Sequence, residues 1–150
     1  MKIGFGSDHG GIDLKLQLME ALAEEGYSCF DYGSFEGERV DYPDYAKKIG
    51  LALRAKDIDL GLLFCGTGIG ISIAANKIPG VYCANVSEEF SARMAKEHNN
   101  ANCLALGGRT LGRELALSIV RTFLEAEFQG DRHKKRLDKI KKMEDTTWEK

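Results

Sequence analysis

The sequence predicts an α/β fold, with helices packed around a parallel sheet. Three observations predict it. Short apolar runs alternate with amphipathic segments from the first residues to about residue 126. A chain written as strand, helix, strand, helix covers both faces of a mostly parallel sheet, with right-handed crossovers. The turns rich in Gly, Cys, Asp and His follow strand-like runs, which is where such folds bind ligands.

Residues 2–7 read as the first strand. A helix follows over about residues 11–25, with Leu14, Leu18 and Leu22 at helical spacing, and Gly26 stops it. Residues 27–32 read as the second strand. After a turn-rich stretch, Pro43 opens a helix that runs to about Lys56. Residues 59–64 are nearly all apolar and form the third strand. A glycine-rich turn then leads into a helix of small residues near 70–77. Residues 80–85 read as the fourth strand, and Ser87 is placed to cap a helix running to His98. Residues 102–106 read as the fifth strand. The segment 111–126 is helical, with Leu115, Ile119 and Phe123 on one face. Residues 131–150 differ: a basic amphipathic helix with little to bury, suited to packing on a partner subunit or a domain edge. Its last residues, 144–150, read as frayed. No repeat or linker interrupts the chain, so 1–130 is an α/β core and 131–150 a helical arm of the same domain.

With 150 residues, 43% hydrophobic and 29% charged, the chain can build a core without staples. A net charge of -2 gives no general attraction to nucleic acid or membranes. No apolar run approaches the length of a membrane span. The first residues run straight into a strand with no signal-peptide pattern, so a reduced cytoplasmic setting is expected. The sequon Asn85-Val86-Ser87 then reads as accidental. None of the four cysteines forms a Cys-x-x-Cys pair, which argues against a zinc or thioredoxin-like site. Cys29, Cys83 and Cys103 sit within strand-like runs as small buried hydrophobes, whereas Cys65, at a strand end, stands apart.

Four segments carry chemistry. In Phe64-Cys65-Gly66-Thr67-Gly68-Ile69-Gly70-Ile71-Ser72 an apolar strand ends in a thiol, and glycines alternate before a helix. Consecutive amides there form an anion site and favour a thiolate. The alternative is a tight turn after a buried Cys. The loop is neither a Walker motif nor a dinucleotide fingerprint, since no Gly-Lys-Ser/Thr follows and Ile71 replaces the third glycine. In Ser7-Asp8-His9-Gly10-Gly11, the Asp-His pair can bind hydroxyls or phosphate, or Asp8 caps the first helix and His9 is a solvated neighbour. In His98-Asn99-Asn100-Ala101-Asn102, the helix C-terminus favours a protonated imidazole, or the asparagines merely cap. Arg132 and Arg136 lie four apart and share one helix face; they can clamp a phosphate, or belong to the solvated basic face that holds Lys134, Lys135, Lys139, Lys141 and Lys142.

Together with Val40-Asp41-Tyr42-Pro43-Asp44 and Gly130-Asp131-Arg132-His133, these segments resemble, in order and over about residues 1–143, the type B ribose-5-phosphate isomerases. The resemblance implies a flavodoxin-like three-layer α/β/α sandwich with a five-stranded parallel sheet and a C-terminal helical arm. It implies a homodimer, or two dimers paired as a tetramer, with the active site at the subunit interface and the arm reaching across it. It implies interconversion of ribose 5-phosphate and ribulose 5-phosphate without metal or cofactor. Cys65 matches the base, Thr67 the hydroxyl that supports it, and His98 the residue that opens the furanose ring. Asp8, His9, Asn99, Arg109, Arg132 and Arg136 match sugar- and phosphate-binding positions.

The residue chemistry fits independently. Aldose–ketose isomerisation moves a proton between C2 and C1 through a cis-enediolate, and one perturbed base can carry it both ways. The amides of Gly66, Gly68, Ile69 and Gly70 can serve the developing oxyanion. The related galactose-6-phosphate isomerase subunits split or lose these features between two chains, whereas all are present here. Members that use Glu as base carry it near Ile69, which leaves Cys65 as the candidate. Six-carbon substrates, allose 6-phosphate or galactose 6-phosphate, remain open, as does a non-catalytic phosphate- or nucleotide-binding module. A phosphatase-type nucleophile would need Cys-x5-Arg, and position 71 is Ile.

Overall fold

The computed structural model describes residues 1–35 and 39–146. Within these residues five strands form one parallel sheet: β1 (Lys2–Ser7), β2 (Ser28–Asp31), β3 (Leu60–Cys65), β4 (Cys83–Asn85) and β5 (Cys103–Gly107), in the order β2-β1-β3-β5-β4. Among the described residues, six helices accompany them: α1 (Ile12–Glu24), α2 (Tyr42–Ala55), α3 (Ile69–Ala75), α4 (Glu89–Glu97), α5 (Arg113–Glu125) and α6 (Asp131–Glu144). The predicted three-layer α/β/α sandwich and C-terminal helix are present.

The central strand β3 is buried along its whole length, and its side chains divide by the two-residue period of a strand. Leu60, Leu62 and Phe64 join Leu14, Leu18 and Leu22 of α1, Ala92 and Ala95 of α4, and Ile119 and Phe123 of α5. Leu63 and Cys65 join Ala46 and Ile49 of α2 and Ile71 and Ala75 of α3 on the other face. From β1 the chain moves outward to β2, then back across to β3. That reversal opens a crevice at the C-terminal ends of β1 and β3, where ligands of such folds bind.

Several expectations need correction. Cys65 is not set apart from the apolar runs: it is the last residue of β3, 5% exposed, and part of an apolar cluster. Cys29 and Cys83 are only half-buried, because β2 and β4 are the sheet's edges; Cys103 is fully buried on β5. The α4 cap is Glu88 rather than Ser87: its carboxylate accepts from Phe90 N at 2.6 Å and Ser91 N at 2.7 Å. Bonds from Ser91, and then Phe90, hold that carboxyl below its ordinary range. Leu115 is exposed; Ala116, Leu117 and Val120 complete the buried face of α5 with Ile119 and Phe123. Glu144 is not frayed. It ends α6 and accepts from Gly80 N at 3.2 Å, tying the arm to the turn before β4. The rest of the expected frayed end, 147–150, lies outside the described residues.

Lys15 was not expected inside. It is fully buried on α1, with Nζ 2.7 Å from Asp31 Oδ1, 2.9 Å from Asp31 Oδ2 and 2.9 Å from Ser34 O. The pair fastens α1 to the end of β2. There Ser34 N donates to Ser7 O at 2.9 Å, one residue before Asp8.

Candidate active site

The strands bring nine of the proposed residues to one place. β1 ends at Ser7, β3 at Cys65 and β5 at Gly107, with Cys65 and Gly107 in register. The turns leaving these strands, 8–11, 66–70 and 108–110, therefore converge. Gly108 N donates to Cys65 O at 2.8 Å and Arg109 N to Gly66 O at 3.0 Å. The approach is too close for side chains: a Cβ on Gly108 would stand 2.6 Å from Gly10 O. Arg109 lies along the thiol turn, with its Nη1 3.6 Å from where a Cβ of Gly66 would be.

At the centre is the thiol, and Gly68 N donates to Cys65 Sγ at 3.1 Å. Gly68 can aim that amide because its φ is +78°, a conformation that costs a side-chain-bearing residue strain. The Ile69 amide donates to Thr67 Oγ1 at 3.3 Å, so Thr67 braces the turn from its exposed side. Two of the four amides offered for an oxyanion are thus engaged within the loop. Asp8 is not the cap of α1, whose N-cap is Gly11 without a side-chain bond. Its buried carboxylate instead accepts from Gly10 N at 2.8 Å, shaping the first turn. His9 is exposed, with Nδ1 3.3 Å from Val40 O.

Two residues here were missed from the sequence. The Tyr42 ring lies on Gly70, where a Cβ would be 2.8 Å from its Cζ. Asn85 presents Oδ1 to Gly68, 2.5 Å from a Cβ built there. A signal existed for both: Tyr42 lies in a recognised segment, and Asn85 ends a strand on the ligand-binding side of the sheet.

The other four proposed residues stand elsewhere. His98 and Asn99 end α4 and precede β5, whereas Arg109 follows it. One length of β5, on the order of 15 Å, separates the two groups. Here the His98 ring stacks on His133 with centroids 4.1 Å apart and planes 9° from parallel. His133 is buried, and Arg132 Nε lies 3.3 Å from its Nε2. Burial, followed by the nearby His98, Arg132 and Arg136, pushes the His133 pKa down. A recess of about 310 Å³ is lined by Gln129, Gly130, Asp131, Arg132 and His133. The asparagines divide their work. Asn100 turns the chain at φ +45°. Asn102 bridges the sheet edge, accepting from Tyr82 N at 2.9 Å and donating to Gly80 O at 2.9 Å. Asn99 is exposed and lines a cavity of about 280 Å³ with Tyr82, Cys83, Leu137 and Ile140.

Among the described residues, no three His, Cys, Asp or Glu side chains gather as metal ligands, and no helix is long and apolar enough to cross a membrane.

Comparison with known proteins agrees with this architecture. The chain is 45% identical to Ribose-5-phosphate isomerase B of Escherichia coli (strain K12), across 95% of this chain and 96% of that one. It superposes on the Ribose-5-Phosphate Isomerase B of Clostridium thermocellum with a TM-score of 0.95 and 51% identity, covering 97% of this chain and 98% of that one. For the Mycoplasma genitalium Ribose-5-phosphate Isomerase B with bound ribulose-5-phosphate the TM-score is 0.92 and the identity 40%, covering 97% of each chain. The model of the Ribose/Galactose Isomerase family matches residues 3–140, and the chain belongs to that family of enzymes.

Proposed function

We propose that the chain interconverts ribose 5-phosphate and ribulose 5-phosphate without a metal, through an enediolate, with Cys65 as the base. The observation that carries this reading is the placement of Cys65 Sγ. It ends β3 in the sheet's ligand crevice, held by the Gly68 amide and flanked by Asp8 and Arg109. The bound ribulose-5-phosphate in the Mycoplasma genitalium relative supports the choice of substrate.

In this reading Cys65, as thiolate, removes the C2 proton of the open-chain aldose and returns it to C1. The negative charge moves onto the enediolate oxygens and back, while a hydroxyl proton passes between O1 and O2. Asp8 and His9 hold sugar hydroxyls. Ring opening precedes this step: His98 gives a proton to the ring oxygen as the anomeric hydroxyl loses one. Arg109, Arg132 and Arg136 receive the phosphate with forked guanidinium donors, and Asn99 receives the sugar.

The two groups of residues lie at opposite ends of β5 in one chain, so one sugar phosphate cannot touch both. The reading therefore requires a homodimer in which the thiol crevice of one protomer faces His98, Asn99 and the arginines of its partner. Leu137, Ile140 and Met143 line cavities beside the β4 edge, and Ile140 and Met143 remain exposed, which suits an arm that packs against a second copy.

The deciding experiment compares kcat/KM for ribose 5-phosphate, allose 6-phosphate and galactose 6-phosphate, in excess EDTA. The five-carbon sugar should lead by at least about tenfold, the discrimination one carbon's contacts can give. Preference for a hexose phosphate would move the assignment to a six-carbon isomerase. Loss of activity with EDTA would remove the metal-free mechanism, and tight nucleotide binding without turnover would favour a binding module.

A further inference from the structure

We propose that His133 is a positioning residue for His98: a buried, neutral imidazole that fixes the plane of the His98 ring and leaves His98 as the member of the pair that takes the proton. The inference rests on the reading of His98 as the ring-opening acid. It adds a residue to which neither sequence motif nor site chemistry had given a role.

The geometry carries it. The rings are stacked nearly parallel, 9° apart, at 4.1 Å. His133 is the buried member at 4% exposure; His98 is half-buried and open to a ligand. An Arg guanidinium has only donors, so the contact of Arg132 Nε with His133 Nε2 at 3.3 Å requires a lone pair on that nitrogen. His133 therefore carries its proton on Nδ1 and is neutral. A neutral aromatic face supports a cation above it, whereas a second imidazolium at that distance would repel it. The surroundings keep the order of protonation fixed. From α6, Arg132 and Arg136 oppose a charge on His133, and Asp131 alone favours one. From the end of α4, Glu97 faces this region, but its carboxylate accepts from Gln129 Nε2 at 2.8 Å. Burial acts with the arginines, and His133 is pushed towards its neutral form. The same contact spends the Nε–H of Arg132 on the protein and leaves its two terminal nitrogens for a phosphate.

The chain has three histidines, so single substitutions assign every imidazole resonance in the intact protein. As the pH is lowered, His133 should still be in the neutral Nδ1–H form when His98 takes its proton. His133→Ala should lower the His98 midpoint and reduce kcat by about tenfold or more, with KM changing by less than about threefold, because an orientation used in the transition state is lost. His133→Phe restores an uncharged ring face and should recover most of both effects. Three results would overturn the inference: His133 titrating together with His98, His133 in the Nε2–H form, or His133→Ala leaving the His98 midpoint and kcat unchanged. The parent reading has its own control. If His98→Asn keeps full turnover, ring opening by His98 is wrong and the kinetic half of the inference falls with it. The resonances still decide whether His133 governs His98 protonation.

Discussion

At one end of the sheet, the thiol crevice is made of strand ends and backbone: Cys65 closes β3, Gly68 N holds its sulfur, and the 108–109 amides lock onto the carbonyls of 65 and 66. At the other end, His98 stands on a helix terminus, and Arg132 and His133 on the first turn of an arm in which His133 is the buried residue. In the crevice the turns are fixed to one another by hydrogen bonds. The imidazole end is held by the ring stack, the Arg132–His133 contact, the Gln129 bonds to Glu97 and the Gly80–Glu144 tether. Rigid geometry suits proton abstraction from carbon, which needs a fixed base. Helix ends and an arm with exposed Ile140 and Met143 suit the second copy that the proposed site requires.

The strongest test of this division is complementation. Cys65→Ala and His98→Asn should each lower turnover by ~10²–10⁴-fold, the usual worth of a positioned acid or base. If each site takes its thiol from one protomer and its imidazole from the other, a mixed dimer of the two variants holds one intact site. Random exchange of equal amounts should then restore about a quarter of full activity, since half the dimers are mixed and half their sites are whole. If thiol and imidazole belonged to one chain, mixing would restore nothing. Subunit exchange followed by assay therefore decides whether the sites are shared.

A signal for this separation was present in the sequence. Residue 98 precedes the fifth strand and residue 109 follows it, and a parallel strand puts its two ends at opposite edges of the sheet. Strand polarity is local and legible; the second copy that the proposed site requires is not. The thiol turn was legible for a related reason, because a strand end, alternating glycines and a helix start leave few backbone paths. The role of each asparagine was not: one residue type turns the chain at Asn100, bridges at Asn102 and faces a cavity at Asn99. Lys15 was illegible because a lysine beside Leu14 reads as the wet flank of an amphipathic helix. Only the arrival of Asp31 from another strand makes its burial tolerable.

That buried pair should be the chief stability difference between the two ends. Removing one partner of a buried ion pair leaves the other uncompensated, and Lys15→Met should cost about 3 kcal/mol in urea unfolding. The exposed pair of the arm, Lys134 with Asp138 at 3.1 Å, is four apart on a helix, and Lys134→Ala should cost less than about 0.5 kcal/mol. Equal losses would mean the thiol end is not the better-anchored half. Gly68→Ala should fall between them. It puts a Cβ at positive φ and 2.5 Å from Asn85 Oδ1, for about 1–3 kcal/mol and a marked loss of turnover as the amide swings from the sulfur. Full activity in that variant would show that the Gly68 N–H to Sγ bond is dispensable.

The smallest effect separates the two ends by pH. The folded His133 has a lowered pKa, so the unfolded chain, titrating near the ordinary value of about 6.5, binds more protons just below that pH. Stability must therefore fall as pH drops through this range and level off once the folded imidazole is also protonated. The shifted Glu88 carboxyl titrates below this window, and the buried Cys103 thiol, pushed well up by burial, titrates above it. Unfolding midpoints at pH 7.5 and 5.5 should thus differ more for the wild-type chain than for His133→Phe, which keeps the ring and loses the titration. The same substitution should leave the pH response of Lys15→Met unfolding reduced in parallel, because the two residues sit at different ends of the molecule and their effects add. An undiminished pH response in His133→Phe would place the proton-sensitive contact elsewhere and remove the arm's claim to be the pH-dependent half.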